Sequence, residues 1–189
     1  MAVLYISTKV LKRDTPLGSA VDDNIIHPQI RVAQDRYILP ALGTRLDNKL
    51  KDLIEDDEIG LAGNESYKKL LDEYIIPCLT QFVFIEVAYV LRVRFSNNTM
   101  VTPSSEQGQS ASMQDIKMIL NRTEDIAMFY RQRLIEYLVH NETLYPEYNK
   151  ATNEELHSST RNYFQNLNVY ERGVLDNQTR AFISGLGYD

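Results

Sequence analysis

The side chains that could carry out chemistry are few in this chain of 189 residues, and they form no catalytic pattern. None of the three histidines, His27, His140 and His157, lies in a Gly-x-Ser-x-Gly, Cys-His or metalloprotease-like context. Gly185 and Gly187 have no Lys-Ser/Thr pair and no following helix, so they do not predict a phosphate-binding loop. We therefore expect no catalytic residues and a protein that is not an enzyme.

The sequence also predicts no metal site and no cofactor. The acidic run at residues 55–58 could attract Ca²⁺ or Mg²⁺, but its spacing matches no EF-hand loop, and such a run at a helix end is usually solvated. The single cysteine, Cys78, excludes an intrachain disulfide and a multi-cysteine zinc site, which indicates folding in a reducing compartment. A hydrolase that uses the acidic run stays as a further alternative.

The composition is that of a globular protein without a strong affinity for nucleic acid. The chain has 20 Lys and Arg residues against 26 Asp and Glu, a formal charge of −6, and 43% hydrophobic residues. Proteins that grip phosphate backbones depend on clustered cations, so that role is not expected. The N-terminus does not predict a signal peptide, and polar residues interrupt the most apolar region, residues 75–93, which argues against a membrane span. We expect a soluble protein of one domain with additional segments.

Apolar residues spaced by three and four predict an all-α fold, a compact bundle of about four to five helices. The predicted helices span about residues 22–39, 42–58, 64–75, 78–93 and 113–140. Pro40 and Gly43 are expected to separate the first two, and Pro77 to mark a kink or a restart. The central core element is predicted at residues 79–91, which are apolar nearly all round, with these side chains most buried: Phe82, Val83, Val87 and Val90. On the longest helix, the apolar residues predicted to share one face are Ile116, Ile119, Leu120, Ile126, Ala127, Tyr130, Leu134, Tyr137 and Leu138.

Three segments outside these helices are candidates for contacts with other molecules. We divide the chain into an extended N-terminal arm (1–21), a helical domain (22–149) with a long loop or loose hairpin at about 97–112, and an extended C-terminal arm (150–189). The C-terminal arm has too few apolar residues for its own core but too many aromatics for an inert linker, which favours docking on another subunit or partner. The alternative is that it folds back on its own domain. The predicted contact residues are Leu4, Tyr5 and Ile6 in the N-terminal arm, Pro103, Ser104 and Ser105 in the loop, and Tyr163, Phe164, Tyr170, Phe182 and Tyr188 in the C-terminal arm.

Several segments, taken together in their order and spacing, carry a resemblance to a known family. They are residues 21–26 (VDDNII), 30–35 (IRVAQD), 39–46 (LPALGTRL), 67–77 (YKKLLDEYIIP), 104–106 (SSE), 129–138 (FY to RLIEYL) and 145–148 (YPEY). Across residues 3–149 the chain resembles the head-to-tail adaptor (head completion, neck ring) proteins of tailed phages, of the crAss-like and Bacteroides prophage type. It departs from that pattern at Asp47, where an aromatic residue is expected, and its C-terminal arm lies outside the shared part.

This resemblance implies a structural virion protein that is made in the bacterial host cytoplasm and assembled into the phage neck. It implies a homo-oligomeric ring, a dodecamer, that binds the portal protein and the next neck or tail ring protein. Such a ring extends the DNA channel and makes transient, non-specific contact with genomic double-stranded DNA, with no membrane partner. The negative charge would help DNA pass without sticking. The alternative is a monomeric phage-encoded helical binding module, a regulator or assembly chaperone, that is absent from the virion.

Overall fold

The computed structural model describes residues 3–18, 21–92, 94–96, 99–101, 113–148 and 155–159. These residues form an all-α fold, as the sequence predicts. The helices are α1 (Thr8–Asp14), α2 (Asp23–Ala33), α3 (Leu39–Leu42), α4 (Thr44–Glu55), α5 (Glu65–Leu70), α6 (Ile76–Arg92) and α7 (Met113–His140), followed by a 3-10 turn (Glu142–Leu144). A π turn joins α2 to α3 (π1, Gln34–Ile38), and another joins α5 to α6 (π2, Leu71–Ile75).

The β structure in the described part of the chain is a short antiparallel hairpin between α6 and α7. Its strands are β1 (Arg94–Ser96) and β2 (Thr99–Val101), with Phe95 opposite Met100. Strand β2 lies within the stretch 97–112, for which the sequence predicts a long loop or loose hairpin. The remainder of that stretch lies outside the described residues.

Pro40, which is expected with Gly43 to separate two helices, lies in a continuous helical run that ends at Gly43, and Pro77, where a kink or a restart is expected, follows a π turn in another such run. Proline lacks an N–H, and its ring collides with the carbonyl group four residues earlier in a regular α-helix. Just before Pro40, the N–H of Leu39 donates to the carbonyl oxygen of Gln34, five residues back, and just before Pro77 the N–H of Ile76 donates to that of Leu71. The wider π turn accommodates each proline ring without ending the helix.

Helix α6 is the central core element, packed against α2 and α7. Phe82, Val83 and Val87 are at most 1% exposed, which confirms their predicted burial. The prediction for Val90 is wrong, because the described helices leave one side of the last turns of α6 uncovered, and Val90 is 39% exposed. By length and composition alone the helical run Glu65–Leu91 could cross a membrane, and 44% of its most apolar window is buried in this structure.

The N-terminal segment differs from the extended arm that the sequence predicts, because it contributes to the core. Ser7 caps α1 through a hydrogen bond from the N–H of Val10, and Leu11 is fully buried. The buried Tyr5 hydroxyl donates to Oδ1 of Asp47 at 2.6 Å, and Nζ of Lys51 lies 2.6 Å from Oδ2 of the same carboxylate. Asp47, where the resemblance leads one to expect an aromatic residue, is thus the buried acceptor that fastens the N-terminal segment to α4.

The segment that follows α7 is anchored by tyrosines. The hydroxyl of Tyr145 donates to the carbonyl oxygen of Ser66 at 2.9 Å and lies 3.0 Å from the hydroxyl of Tyr137. Tyr67 donates to Oε2 of Glu147 at 2.8 Å. Burial first, and then these hydrogen bonds, raise the pKa of Tyr145 and of Tyr67 above the ordinary value. The YPEY stretch therefore fixes the end of α7 against α5.

Candidate assembly surface

Helix α7 carries a row of exposed apolar side chains on the side that faces away from the core. Met118, Ile119, Ile126 and Phe129 are 66%, 55%, 38% and 65% exposed, and we call these four residues the α7 stripe. At about 100° per residue they fall within one arc of roughly 100°, in which Met118 and Phe129 lie opposite the buried Ala127 and the two isoleucines lie nearer the core. Together they expose on the order of 400 Å² of side chain, comparable with the largest patch on a typical monomer, and such patches mark binding surfaces.

The α7 stripe corrects the single apolar face predicted for this helix. Leu120, Ala127, Leu134 and Leu138 pack inward, at most 8% exposed, and Tyr130 and Tyr137 are partly buried against the core. Ile119 and Ile126, which the sequence places on the same face, lie at its edge, about 80° and 100° around the helix from Ala127, and are exposed. The helical period predicts this face as a whole, and the packing of α6 decides which of its edge residues are covered.

A groove lies between π1, α6 and α7, and none of the α7 stripe residues lines it. Its volume is about 170 Å³, and its lining residues are Arg36, Tyr37, Phe82, Ile85, Glu86, Tyr89 and Glu124. The Tyr37 hydroxyl donates to Oε1 of Glu86 at 2.6 Å, and Nη1 of Arg36 lies 3.2 Å from the same oxygen. Burial and this hydrogen bond raise the pKa of Tyr37. Glu86 is thus paired with two neighbours in its own chain.

The first described residues of the C-terminal arm, 155–159, dock on the body of their own chain, and we call them the strap. The Thr44 N–H donates to the carbonyl oxygen of Leu156 at 3.0 Å, and the Ser159 N–H donates to that of Pro40 at 2.7 Å. The strap therefore supplies an acceptor for the Thr44 N–H at the start of α4, a helix that no side chain caps there. It also supplies a donor for the Pro40 carbonyl oxygen in α3. Arg45 also pairs with Glu155, with Nε and Oε2 2.7 Å apart.

The close approach of the strap depends on Gly43, which forms the turn between α3 and α4. Its backbone has φ +79 and ψ 159, a conformation open essentially to glycine alone. A Cβ at this position would lie 3.0 Å from the backbone nitrogen of Ser158 and 3.2 Å from the carbonyl oxygen of Leu156. The absence of a side chain at residue 43 is therefore what lets the strap lie flat on the turn.

The predicted contact residues divide into two groups. Tyr5 and Ile6 are 5% and 4% exposed, and Leu4 packs against the same core, so within this chain these three side chains stabilise the fold. The predicted contacts in the loop (Pro103, Ser104, Ser105) and in the C-terminal arm (Tyr163, Phe164, Tyr170, Phe182, Tyr188) lie outside the described residues. Sequence reasoning did not single out Met118 or Phe129, although their spacing with Ile126 on α7 is a helical signal.

The described residues contain no arrangement that suggests catalysis or metal binding. Among residues 3–148 and 155–159, leaving out the gaps, no three His, Cys, Asp or Glu side chains come close enough to hold a metal ion. The acidic run is exposed where α4 ends, and Asp57 there adopts a left-handed conformation with φ 57. His27, His140 and His157 are all exposed.

The fold and this surface define a class: a small all-α protein with an outward apolar helix face, without a catalytic cluster in its described part. The chain belongs to DUF6712, a family of unknown function, whose sequence pattern it matches over residues 38–157. That match spans α3 to the strap and includes the α7 stripe. No curated protein and no solved structure matches the chain.

Proposed function

We propose that the protein is a structural virion protein that forms a homo-oligomeric ring in the neck of a tailed phage. In this role it binds below the portal, extends the DNA channel and joins the capsid to the tail. The α7 stripe is the observation that carries the proposal, because it is an apolar helix face turned to solvent on a body whose core is already closed. The resemblance of residues 3–149 to neck ring proteins supplies the specific context.

Cyclic rings require heterologous contacts, in which one patch of a subunit meets a different patch of the next. The chain has the parts that such contacts need. The body has a packed core, the α7 stripe is exposed on it, and 30 further residues of the sequence follow the strap. The formal charge of −6 suits a channel through which DNA passes without being held.

A second candidate is a monomeric phage-encoded helical binding module, a regulator or assembly chaperone that does not enter the virion. The same α7 stripe favours it, since one partner protein could occupy that surface. The two candidates differ in where the protein is found.

Mass spectrometry of purified virions, followed by cryo-electron microscopy of the neck, tests the proposal. We expect the protein in stoichiometric amounts, as a ring beneath the portal. Complementation with Phe129→Ser is expected to reduce infectious particles, whereas Leu61→Ser, at a position 56% exposed outside the α7 stripe, is the matched control. Absence of the protein from virions would reject the ring in favour of the binding module.

A further inference from the structure

We infer that the groove between π1, α6 and α7 is a binding site for the guanidinium group of an arginine side chain. This site is independent of the proposed ring, because it is defined by the chemistry of its ligand and applies equally to the binding module. Two lining side chains that are left without a partner define it, Glu124 on α7 and Tyr89 on α6.

The groove carries one more negative charge than positive charge. Glu86 and Glu124 line it, against the single cation Arg36, and Arg36 is paired with Glu86. Glu124 is partly buried, and within the described part of the chain no cation or hydrogen-bond donor pairs with its carboxylate. A partly buried carboxylate is stabilised when a cation pairs with it. The ligand that this groove favours is therefore a cation.

The Glu124 carboxylate acts on the groove across apolar rings. Tyr37 and Phe82 stack with their centroids 4.0 Å apart and are at most 7% exposed. Burial and then the contact with Glu86 raise the pKa of the Tyr37 hydroxyl most, and the charge of Glu124 raises this pKa further. Because buried rings screen a charge less than water does, the attraction of Glu124 for a cation is stronger here than on an open surface.

The exposed ring of Tyr89 favours a guanidinium over an ammonium group. Tyr89 is 57% exposed, and its ring contacts no other aromatic or cationic side chain among the described residues. A guanidinium is planar, so it can stack on a ring while it donates two hydrogen bonds to a carboxylate, whereas an ammonium is a strongly hydrated point charge. Arg36 already shows this chemistry, with Cζ 5.1 Å from the centre of the Tyr37 ring and Nη1 3.2 Å from Oε1 of Glu86.

The size of the groove limits the ligand to one side chain. Its volume is about 170 Å³, below the roughly 300–1,000 Å³ of sites that enclose a small molecule. The arginine can belong to another protein or to the C-terminal arm, which contains Arg161, Arg172 and Arg180. Both sources supply the same group, and the experiment distinguishes them.

Amide NMR of the ¹⁵N-labelled full chain, titrated with Nα-acetylarginine methylamide at constant ionic strength, tests the site. We expect shifts at the amides of Glu86, Tyr89 and Glu124, with a dissociation constant on the order of 1 mM for so small a ligand. Nα-acetylcitrulline methylamide has the same length and no charge, and we expect it to bind at least about tenfold more weakly.

A matched pair of variants separates the groove from the general negative charge of the protein. Glu124→Gln is expected to weaken binding of the arginine compound at least about threefold, because the charged acceptor is lost. Asp125→Asn removes the same charge from the next residue, which is exposed and does not line the groove, and is expected to change the affinity little.

Glutamine at Arg161, Arg172 and Arg180 together distinguishes the two sources. If an arginine of the C-terminal arm occupies the groove, this variant shifts the groove amides before any ligand is added and binds the arginine compound more tightly than the unmodified chain. If the arginine belongs to another protein, the groove amides and the affinity stay unchanged. Either result supports the guanidinium site.

Three results overturn the inference. One is equal binding of the citrulline compound. Another is an equal loss of affinity in Glu124→Gln and Asp125→Asn. The third is the absence of groove shifts in both the unmodified chain and the triple glutamine variant.

Discussion

Replacement of Gly43 by alanine perturbs the point where the strap meets the body. The substitution strains the backbone, because residue 43 has φ +79. It also crowds the strap, because the new Cβ would lie 3.0 Å from the Ser158 backbone nitrogen. Backbone atoms cannot rotate away as a side chain would. Gly43→Ala must therefore either distort the α3–α4 turn or lift the strap from it.

The magnitude follows from the contacts at this turn. A non-glycine residue in such a conformation costs roughly 1–3 kcal/mol. Lifting the strap breaks three hydrogen bonds, from Thr44 to Leu156, from Leu156 to Thr44 and from Ser159 to Pro40, at 3.0, 2.9 and 2.7 Å. Each contributes about 0.5–1.5 kcal/mol, less where water replaces the partner. We expect Gly43→Ala to lower the free energy of unfolding by about 2–4 kcal/mol.

Urea unfolding followed by circular dichroism at the helical band measures this loss, with two glycines as controls. Gly63 has φ +101 and no atom within 4 Å of an added Cβ, so Gly63→Ala reports backbone strain alone. Gly60 has an open site and no positive φ, so Gly60→Ala should change stability by less than about 1 kcal/mol. The excess of Gly43→Ala over Gly63→Ala is the contribution of the strap, and hydrogen exchange at the Thr44 amide should accelerate with it. If Gly43→Ala costs no more than Gly63→Ala and that amide stays protected, the reasoning about the strap is refuted.

Three further predictions concern buried polar and titratable groups. Tyr5→Phe leaves the Asp47 carboxylate without its 2.6 Å donor and should cost on the order of 1–3 kcal/mol in urea unfolding, and a loss below about 0.5 kcal/mol would contradict that role. Burial raises the pKa of Cys78 to about 12, so thiol reagents at pH 8 should label it no faster than the protein unfolds, and rapid labelling without denaturant would show the site to be open. Because the pKa of Tyr145 and of Tyr67 is raised, the folded state holds protons that the unfolded state releases above about pH 10. Stability should be unaffected by these tyrosines below about pH 10 and fall as pH rises beyond it, and thermal melts between pH 7 and 11 that show no such decline would reject the assignment.

The helical architecture could be predicted from sequence because it depends on local patterns. Apolar periodicity predicts the segments that form α2, α4, α5, α6 and α7, and α2 begins after Asp22, an ordinary N-cap residue whose side chain accepts from the Asn24 N–H. The continuity of helices through Pro40 and Pro77 could not be predicted in the same way. A proline removes one backbone hydrogen bond from a helix. Whether the helix then ends or widens into a π turn depends on the surrounding packing.

The contacts that Tyr5 and the strap make with the body are harder to predict from the sequence. Tyr5 looks like a residue of a free arm until Asp47, 42 positions later, is known to face it across the core. Likewise, Leu156 shows no sign in the sequence that its backbone closes the turn at Gly43. These contacts join residues far apart in the chain through hydrogen bonds rather than through a periodic pattern, so no local window contains both partners.

The buried and the exposed apolar residues of α7 show which part of the packing cannot be predicted from the sequence. Ala127 and Phe129 are two positions apart and lie on opposite sides of one helix, the first buried and the second 65% exposed. A helix with apolar rows on both sides is ordinarily surrounded by protein. In this chain α6 covers one row of α7, and the described residues leave the other uncovered over about three turns, Met118 to Phe129. Solvation of that row is costly for a monomer, and the cost is removed when another chain covers it. The proposed ring would remove that cost wherever a neighbouring subunit covers the row.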